Sequence, residues 1–130
     1  MEKLQNIERY LNSELTTKVN SSSIRHGEIK LVIDSADLLD VILFIKNDNK
    51  TKFKQLIDLT AVDYPEKEQR FKLIYFFLSH ENNIRVNVEY SIKENEIINS
   101  LTSIFPSANW MEREVFDMYG IKFKDHPDLR

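Results

Sequence analysis

The sequence contains no cysteine and very little glycine, and each deficit excludes a class of function. Without cysteine, the chain has no thiolate ligand for an iron–sulfur cluster or a cysteine-based zinc site, and no disulfide or thiol nucleophile. Its two glycines, Gly27 and Gly120, are too few for the glycine-rich loops that bind nucleotide phosphates. The sequence therefore has few of the residues and motifs that a free-standing enzyme commonly uses for catalysis or cofactor binding.

The chain also lacks a dominant charge and a long apolar run. Its 18 basic and 21 acidic residues give a net charge of −3, so nucleic acid is not an expected partner. The longest strongly apolar run, Leu73 to Leu78, is far shorter than the roughly 20 residues that a membrane-spanning helix needs. The charged N-terminus has no apolar core of a secretory signal. We therefore expect no membrane span and no secretory signal.

Isoleucine, lysine and asparagine are over-represented, while alanine occurs only three times. The three abundant residue types supply 37 of 130 residues and share A/T-rich codons. This bias is typical both of A/T-rich bacterial genomes and of organelle genomes. The composition alone leaves these two sources equally open.

Hydrophobic periodicity predicts a single α+β domain in which helices pack on a mostly antiparallel sheet, in the order α-β-α-β-β-β-α-α. Helices are predicted at residues 3–15, 36–48, 93–105 and 108–119, and strands at residues 28–34, 53–63, 70–79 and 84–90. The first helix presents one apolar stripe, formed by Leu4, Ile7, Leu11 and Leu15. The domain divides into an N-terminal helix and connector (1–27), an α/β core (28–105), and a last helix with its exit segment (106–130).

Several local features refine this prediction. The serine-rich residues 16–27 are typical of a polar connector. Ser35 is a candidate N-cap for the second helix. Residues 70–79 are apolar on both faces, which predicts a central strand that is covered on each side. Gly120 follows the last helix, where a glycine commonly ends a helix in the left-handed conformation.

The densest polar cluster lies in the last helix, where helical spacing places Arg113 one turn from Asp117. Met111, Val115 and Met118 form an apolar stripe on another face. A half-buried helix with an ion pair is one interpretation, and a helix that contacts a partner protein is another. A third is a free-standing hydrolase that uses Glu112, Glu114 and His126. The histidines His26, His80 and His126 have no metal-ligand spacing, so we expect structural or surface roles and no catalytic, cofactor or metal site.

Two segments together resemble a known family. Residues 58–71 read DLTAVDYPEKEQRF, and residues 108–130 read ANWMEREVFDMYGIKFKDHPDLR. The second contains E-R-E, an aspartate, a glycine and then H-P-D-L-R, the signature of the 30-kDa subunit family of respiratory complex I, whose mitochondrial form is called subunit 9. The resemblance marks the following interface or signature positions: Trp110, Glu112, Arg113, Glu114, Asp117, Gly120, His126, Pro127, Asp128 and Arg130.

This resemblance implies a non-catalytic structural subunit in the peripheral arm of proton-pumping NADH:ubiquinone oxidoreductase. FMN, iron–sulfur clusters and quinone would lie in neighbouring subunits, and none would bind this chain. The expected partners are the hydrogenase-large-subunit-like subunit and the subunit with the terminal cluster. The expected location is the matrix side of the mitochondrial inner membrane, with the cytoplasmic side of a bacterial inner membrane as the alternative.

In this family the H-P-D-L-R motif is normally followed by further chain, whereas this sequence stops at Arg130. We expect either that the tail is lost or that a separate polypeptide supplies it, and the second is preferred. Related families leave other assignments open: a subunit of a membrane-bound hydrogenase, an F420-type or a chloroplast dehydrogenase complex, or a free-standing α+β adaptor.

Overall fold

The computed structural model describes residues 2–127 and confirms the α+β class. Five strands form a mixed sheet in the order β1-β2-β5-β4-β3. The strands are β1 (Val19–Arg25), β2 (Glu28–Ile33), β3 (Gln55–Asp63), β4 (Phe71–Ser79) and β5 (Ile84–Ile92). Neighbouring strands run antiparallel except β2 and β5, which are parallel. The chain between β2 and β5 therefore includes a crossover, which carries a helix.

Three helices and a second, two-stranded pair complete the described chain. The helices are α1 (Glu2–Glu14), α2 (Leu38–Asn47) and α3 (Ala108–Tyr119). The short strands β6 (Ile98–Asn99) and β7 (Phe123–Lys124) pair in parallel. The predicted stripe of α1 is confirmed, because all four of its leucine and isoleucine positions are buried in the core.

The helices lie on one face of the sheet. On β4, Phe71 contacts Tyr119 of α3 and Phe77 contacts Phe105, with ring centroids 6.0 and 5.4 Å apart. The alternate side chains of β4 point to the other face and are only half-buried: Lys72, Ile74, Phe76 and Leu78. The interior position of β4 is confirmed, but the prediction that it is covered on both sides is wrong. Apolar residues on both faces of a strand do not require a second layer within the same chain.

The connector predicted at residues 16–27 contains β1, so that prediction is wrong. His26 and Gly27 form a two-residue hairpin loop with φ of 53° and 76°, the left-handed pair that joins tightly turned antiparallel strands. β1 is an edge strand, and its three consecutive serines hide the apolar alternation that marks a buried strand. The pairing with β2, which buries Ile29 and Leu31, holds it in place.

The helix predicted over residues 93–105 is also wrong. Asn95 has φ of 70°, a left-handed conformation that interrupts a helix, and Ile97 is 60% exposed. The chain instead forms turns and β6, and then a single turn in which the Phe105 N–H donates to the Leu101 carbonyl at 2.8 Å. Ile98, Leu101 and Phe105 are buried, so helical spacing of apolar residues here reflects a turn beneath α3 and not a helix.

Ser35 does not cap α2. It begins a short 3₁₀ turn, Ser35–Asp37, and its hydroxyl donates to the Glu96 carboxylate at 2.9 Å. Asp37 occupies the N-cap position of α2 and makes no side-chain capping bond. The serine is used to join two distant segments of the chain, which local sequence cannot indicate.

Candidate functional site

Helix α3 has a buried side and an exposed side. Ala108, Glu112 and Val115 are buried. Trp110 is 68% exposed and Met118 is 74% exposed, and the charged side chains of Arg113 and Asp117 share the solvent side. The predicted apolar stripe is therefore wrong at Met118, whose side chain faces solvent. Glu112, and not a methionine, occupies the centre of the buried side.

The end of α3 agrees with the prediction made for Gly120. Its φ is 73°, and its N–H donates to the Phe116 carbonyl at 2.8 Å. An L-residue with a side chain is strained in this conformation, which is why glycine ends helices. The chain then turns back, and Ile121 and Phe123 bury their side chains.

The buried Glu112 carboxylate accepts a hydrogen bond at each oxygen. Its Oε2 accepts the Leu101 N–H at 2.8 Å, and its Oε1 accepts the Ser100 hydroxyl at 2.6 Å. His126 Nε2 lies 3.9 Å from the same Oε1, and both side chains are fully buried. Two donors and a nearby imidazole offset part of the cost of burying the carboxylate charge.

The electrostatics around Glu112 follow from burial. Burial raises the pKa of its carboxyl, and the bonds from Ser100 and Leu101 and the nearby His126 oppose that rise. The hydroxyls of Tyr75 and Tyr90 lie 2.7 Å apart and are fully buried. Burial also raises the pKa of both tyrosines, and the charge of Glu112 adds to the effect. A small polar island therefore lies inside an otherwise apolar core.

His126 fastens the segment after β7 to α3. Its Nε2 lies 2.9 Å from the carbonyl oxygen of Asn109 and therefore carries a hydrogen that it donates. Its backbone N–H donates to the Phe123 carbonyl at 3.4 Å. The adjacent Pro127 is exposed and has no N–H to donate. The predicted structural role of His126 agrees with these contacts.

The exposed side of α3 carries an ion pair and a shallow groove. Arg113 Nε and Asp117 Oδ1 are 3.6 Å apart at the predicted one-turn spacing. Both side chains are about half exposed, so the pair contributes little to stability. The groove is lined by Pro106, Ser107, Asn109, Trp110, Arg113 and Asp117. An aromatic ring beside an arginine in a groove is the chemistry found at the centres of protein interfaces.

The structure brings some of the predicted residues together and separates others. Glu112 and His126 meet in the interior, and Trp110, Arg113 and Asp117 share the groove. Glu114 is exposed whereas Glu112 is buried, so the two glutamates and His126 do not form one catalytic site. Asp128 and Arg130 lie outside the described residues.

Sequence reasoning missed Ser100, Leu101 and Asn109 as parts of this arrangement. Leu101 and Asn109 act through backbone atoms, which carry no residue-specific signal. Ser100 lies in a segment whose spacing predicts a helix, and that prediction conceals its contact with Glu112.

Residues 2–127 offer neither a metal site nor a membrane-spanning helix. No group of three or more histidine, cysteine, aspartate or glutamate side chains there is arranged to hold a metal ion. Over the same residues, no helix combines the length and apolarity needed to cross a membrane.

Residues 31–130 match the family described as "Respiratory-chain NADH dehydrogenase, 30 Kd subunit". The chain belongs to this family. The family resemblance predicted from the two sequence segments is thereby confirmed.

Curated relatives in the family are bacterial proteins named as subunits of NADH-quinone oxidoreductase. The protein from Dinoroseobacter shibae is 44% identical over 127 residues, and that from Ruegeria pomeroyi is 41% identical over 127 residues. The matches cover 98% of this chain but only 59% and 64% of these relatives. This chain therefore spans about three fifths of their length. Neither relative supports a mitochondrial source.

Two solved structures share the fold. The trypsin-resistant fragment (1-134) of Nqo5 has a TM-score of 0.78 at 22% identity, covering 98% of this chain and 99% of the fragment. A chain of the membrane-bound sulfane sulfur reductase, an archaeal respiratory membrane complex, has a TM-score of 0.84 at 20% identity. That match covers 97% of this chain and 73% of the other. At these identities the likeness concerns the fold alone.

The first family segment, residues 58–71, closes the hairpin between β3 and β4. Arg70 binds Asp63 through two hydrogen bonds, from Nε at 2.7 Å and from Nη2 at 2.9 Å. Glu94 lies 3.3 Å from the same guanidinium, and the Tyr64 N–H donates to the Arg70 carbonyl at 2.7 Å. The bonds from Arg70 lower the pKa of the Asp63 carboxyl, against a smaller opposing effect of burial.

Proposed function

We propose that this chain is a non-catalytic structural subunit in the peripheral arm of a proton-pumping NADH:quinone oxidoreductase, where it helps to hold the quinone-reducing module together. Membership of the 30 Kd subunit family supports this role, as do relatives named for that enzyme. The chain contributes contacts, and electrons pass through other subunits. FMN, iron–sulfur clusters and quinone belong to those subunits, which is consistent with a sequence free of cysteine.

The observation that carries the proposal is the exposed side of α3. Trp110 and Met118 expose 68% and 74% of their surface, although burial of such large apolar side chains is favourable. Arg113 stands between them in sequence and lines the groove beside Trp110. Tryptophan, methionine and arginine are enriched where proteins bind one another. We therefore assign the exposed side of α3 as the surface that docks on a neighbouring subunit.

The proposed neighbours are the hydrogenase-large-subunit-like subunit and the subunit that carries the terminal cluster. The proposed location is the cytoplasmic side of a bacterial inner membrane, with the matrix side of the mitochondrial inner membrane as the alternative. The bacterial relatives favour the first location. Purification of the tagged chain from its own organism, with identification of the companion chains, tests partners and location together.

Arg113→Ala and Trp110→Ala test the docking surface. Each should lower the amount of tagged chain recovered in the assembled NADH-oxidising membrane complex by about tenfold or more, because residues at the centre of an interface commonly contribute about 2 kcal/mol or more. Stability of the isolated chain should change little, since the Trp110 side chain is largely exposed and that of Arg113 is about half exposed. Recovery is measured by quantitative mass spectrometry of the purified complex, and stability by urea unfolding.

Arg9→Ala is the matched control, because Arg9 is an exposed arginine on α1 and outside the groove. It should leave recovery unchanged. Wild-type recovery and turnover in both α3 variants would contradict the docking surface. The fold is shared with a chain of the sulfane sulfur reductase complex, so a companion set without an NADH-oxidising subunit would favour one of the related complexes instead.

A further inference from the structure

Three segments of the chain converge on the carboxylate of Glu112. The first is the turn after β6, which donates the Leu101 N–H and the Ser100 hydroxyl. The second is α3 itself, which carries Glu112 on its buried side. The third follows β7 and brings His126 Nε2 to 3.9 Å from the Glu112 Oε1. One buried side chain thus lies where the three segments meet.

The backbone pairing between the first and third segments is weak by itself. β6 and β7 contain two residues each. Their flanking bonds, from Ile98 N–H to the Lys122 carbonyl and from Ser100 N–H to the Lys124 carbonyl, are both 3.2 Å long. So short a two-stranded pair is marginal in water. Contacts outside the ladder must therefore add to it, and both the burial of Ile98 and Phe123 and the bonds to Glu112 are available for this.

Burying the Glu112 carboxylate is unfavourable, because its charge must be removed from water. An apolar side chain of similar volume at position 112 would bury as well without the cost of desolvating a charge. It would, however, accept neither the Leu101 N–H nor the Ser100 hydroxyl, and it would offer no charge to His126. What the glutamate adds is a set of specific contacts with two other segments of the chain, which an apolar side chain could not make.

We propose that Glu112 is a positioning residue whose carboxylate fastens the segment from Ile121 to Pro127 against the base of α3. In that segment His126 Nε2 lies 3.9 Å from the Glu112 Oε1, an electrostatic contact rather than a hydrogen bond, and the ring donates its hydrogen bond to the Asn109 carbonyl on the preceding turn of α3. The exposed side of α3 and the segment from Ile121 to Pro127 are thereby presented as one surface. The inference rests on the proposed function for its importance in assembly, and the fastening itself can be measured without it.

Glu112→Gln tests the fastening in the purified full chain by amide hydrogen exchange. Glutamine keeps the volume and can still accept the Leu101 N–H, but it carries no charge, and its NH₂ group then faces the His126 donor. The amides of Ile98 and Ser100, which bond to the third segment, should exchange about tenfold faster, as expected for the loss of one buried charged contact. Amides of β4 and β5 should keep their protection.

Glu114→Gln is the matched control, because it makes the same chemical change at an exposed position of α3. It should leave the Ile98 and Ser100 amides unchanged. In a His126→Gln background, Glu112→Gln should speed exchange at these amides by a smaller factor than it does in wild type, because the contact between the two side chains is already absent there. Additive effects would indicate two independent packing contributions and would overturn the proposal.

Wild-type exchange at Ile98 and Ser100 in Glu112→Gln, or an equal loss across β4 and β5, would also overturn it. If Glu112→Gln does not fold, His126→Gln carries the test and must show the same local loss with the sheet intact. Recovery of Glu112→Gln in the membrane complex is a separate measurement. Local fraying with normal recovery would uphold the fastening while contradicting its part in docking.

Discussion

At the residue scale, the Asp63–Arg70 pair shows how one family segment contributes to the fold. Two parallel hydrogen bonds lock the guanidinium to the carboxylate, and this geometry is available to arginine but not to lysine. Tyr64 N–H and the Arg70 carbonyl close the same loop through the backbone. The turn between them can then be polar and exposed without releasing the ends of β3 and β4.

This pair predicts a pH-dependent contribution to stability. The folded-state pKa of Asp63 is lowered, so its stabilisation is present above the unfolded value of about 3.9 and is lost as pH falls through the lower folded value. Arg70→Lys should lower the urea midpoint at pH 7. The difference from wild type should shrink on acidification from about pH 5 to below about pH 3, measured by urea unfolding at several pH values.

Arg85→Lys is the control variant, because Arg85 is an exposed arginine on β5. Within residues 2–127, no carboxylate lies within 4 Å of its guanidinium. Its midpoint should follow wild type at every pH. A gap between Arg70→Lys and wild type that stays constant over the whole acid range would contradict the assignment of the effect to Asp63 ionisation.

At the scale of the element, α3 is amphipathic in an unusual way. Its buried side has Ala108 and Val115 flanking Glu112, while Trp110 and Met118 point to solvent. A helix that turns large apolar residues outward and a carboxylate inward buries less apolar surface than its composition would allow. The hydrogen bonds of the buried carboxylate and of Asn109 add to the packing of Ala108 and Val115.

Val115 and Met118, two apolar residues of α3, should therefore respond differently to truncation to alanine. Val115→Ala should lower the free energy of unfolding by about 2 kcal/mol, from lost burial and the remaining cavity. Met118→Ala should change it by less than about 0.5 kcal/mol, because the side chain is 74% exposed. Urea unfolding of the purified chain measures both. Equal losses would mean that Met118 packs in the core, as the sequence pattern first predicts.

At the scale of the whole molecule, the core lies on one side of the sheet. Helices and the turn before α3 cover one face, where Tyr75 and Phe77 are completely buried. On the opposite face of β4, Ile74 and Phe76 are only half-buried and stand in register with polar side chains of β5. At its centre, two lysines, Lys30 and Lys72, approach the Glu89 carboxylate at 3.1 and 3.4 Å. The described helices leave this face of the sheet uncovered, and its polar centre agrees with that exposure.

Adjacent phenylalanines on β4 test this one-sided core. Phe77→Ala should cost about 3–5 kcal/mol of unfolding free energy, the usual range for a buried phenylalanine. Phe76→Ala should cost about half of that or less, because its ring is only partly removed from water. Urea unfolding of the two variants is the measurement. Equal costs would show that both faces of the sheet are covered in the isolated chain.

The sequence by itself determined the class of fold, the family and most of the sheet. α1, α2, β2, β3, β4, β5 and α3 follow from apolar periodicity that agrees with the local propensities, and Gly120 follows from the backbone conformation that only glycine adopts easily. The two family segments could be identified because their residues are specific in type and spacing.

Tertiary structure decided the rest, because the deciding interactions join residues far apart in sequence. β1 forms only against β2, so its serines carry no signal of their own. Residues 93–105 have the spacing of a helix, yet Asn95 turns the chain and Leu101 is held by a carboxylate eleven residues later. Glu112 and His126 lie in different segments, and only the folded chain brings their side chains together. Their proximity depends on a chain reversal at Gly120, after which Ile121 and Phe123 pack against the core.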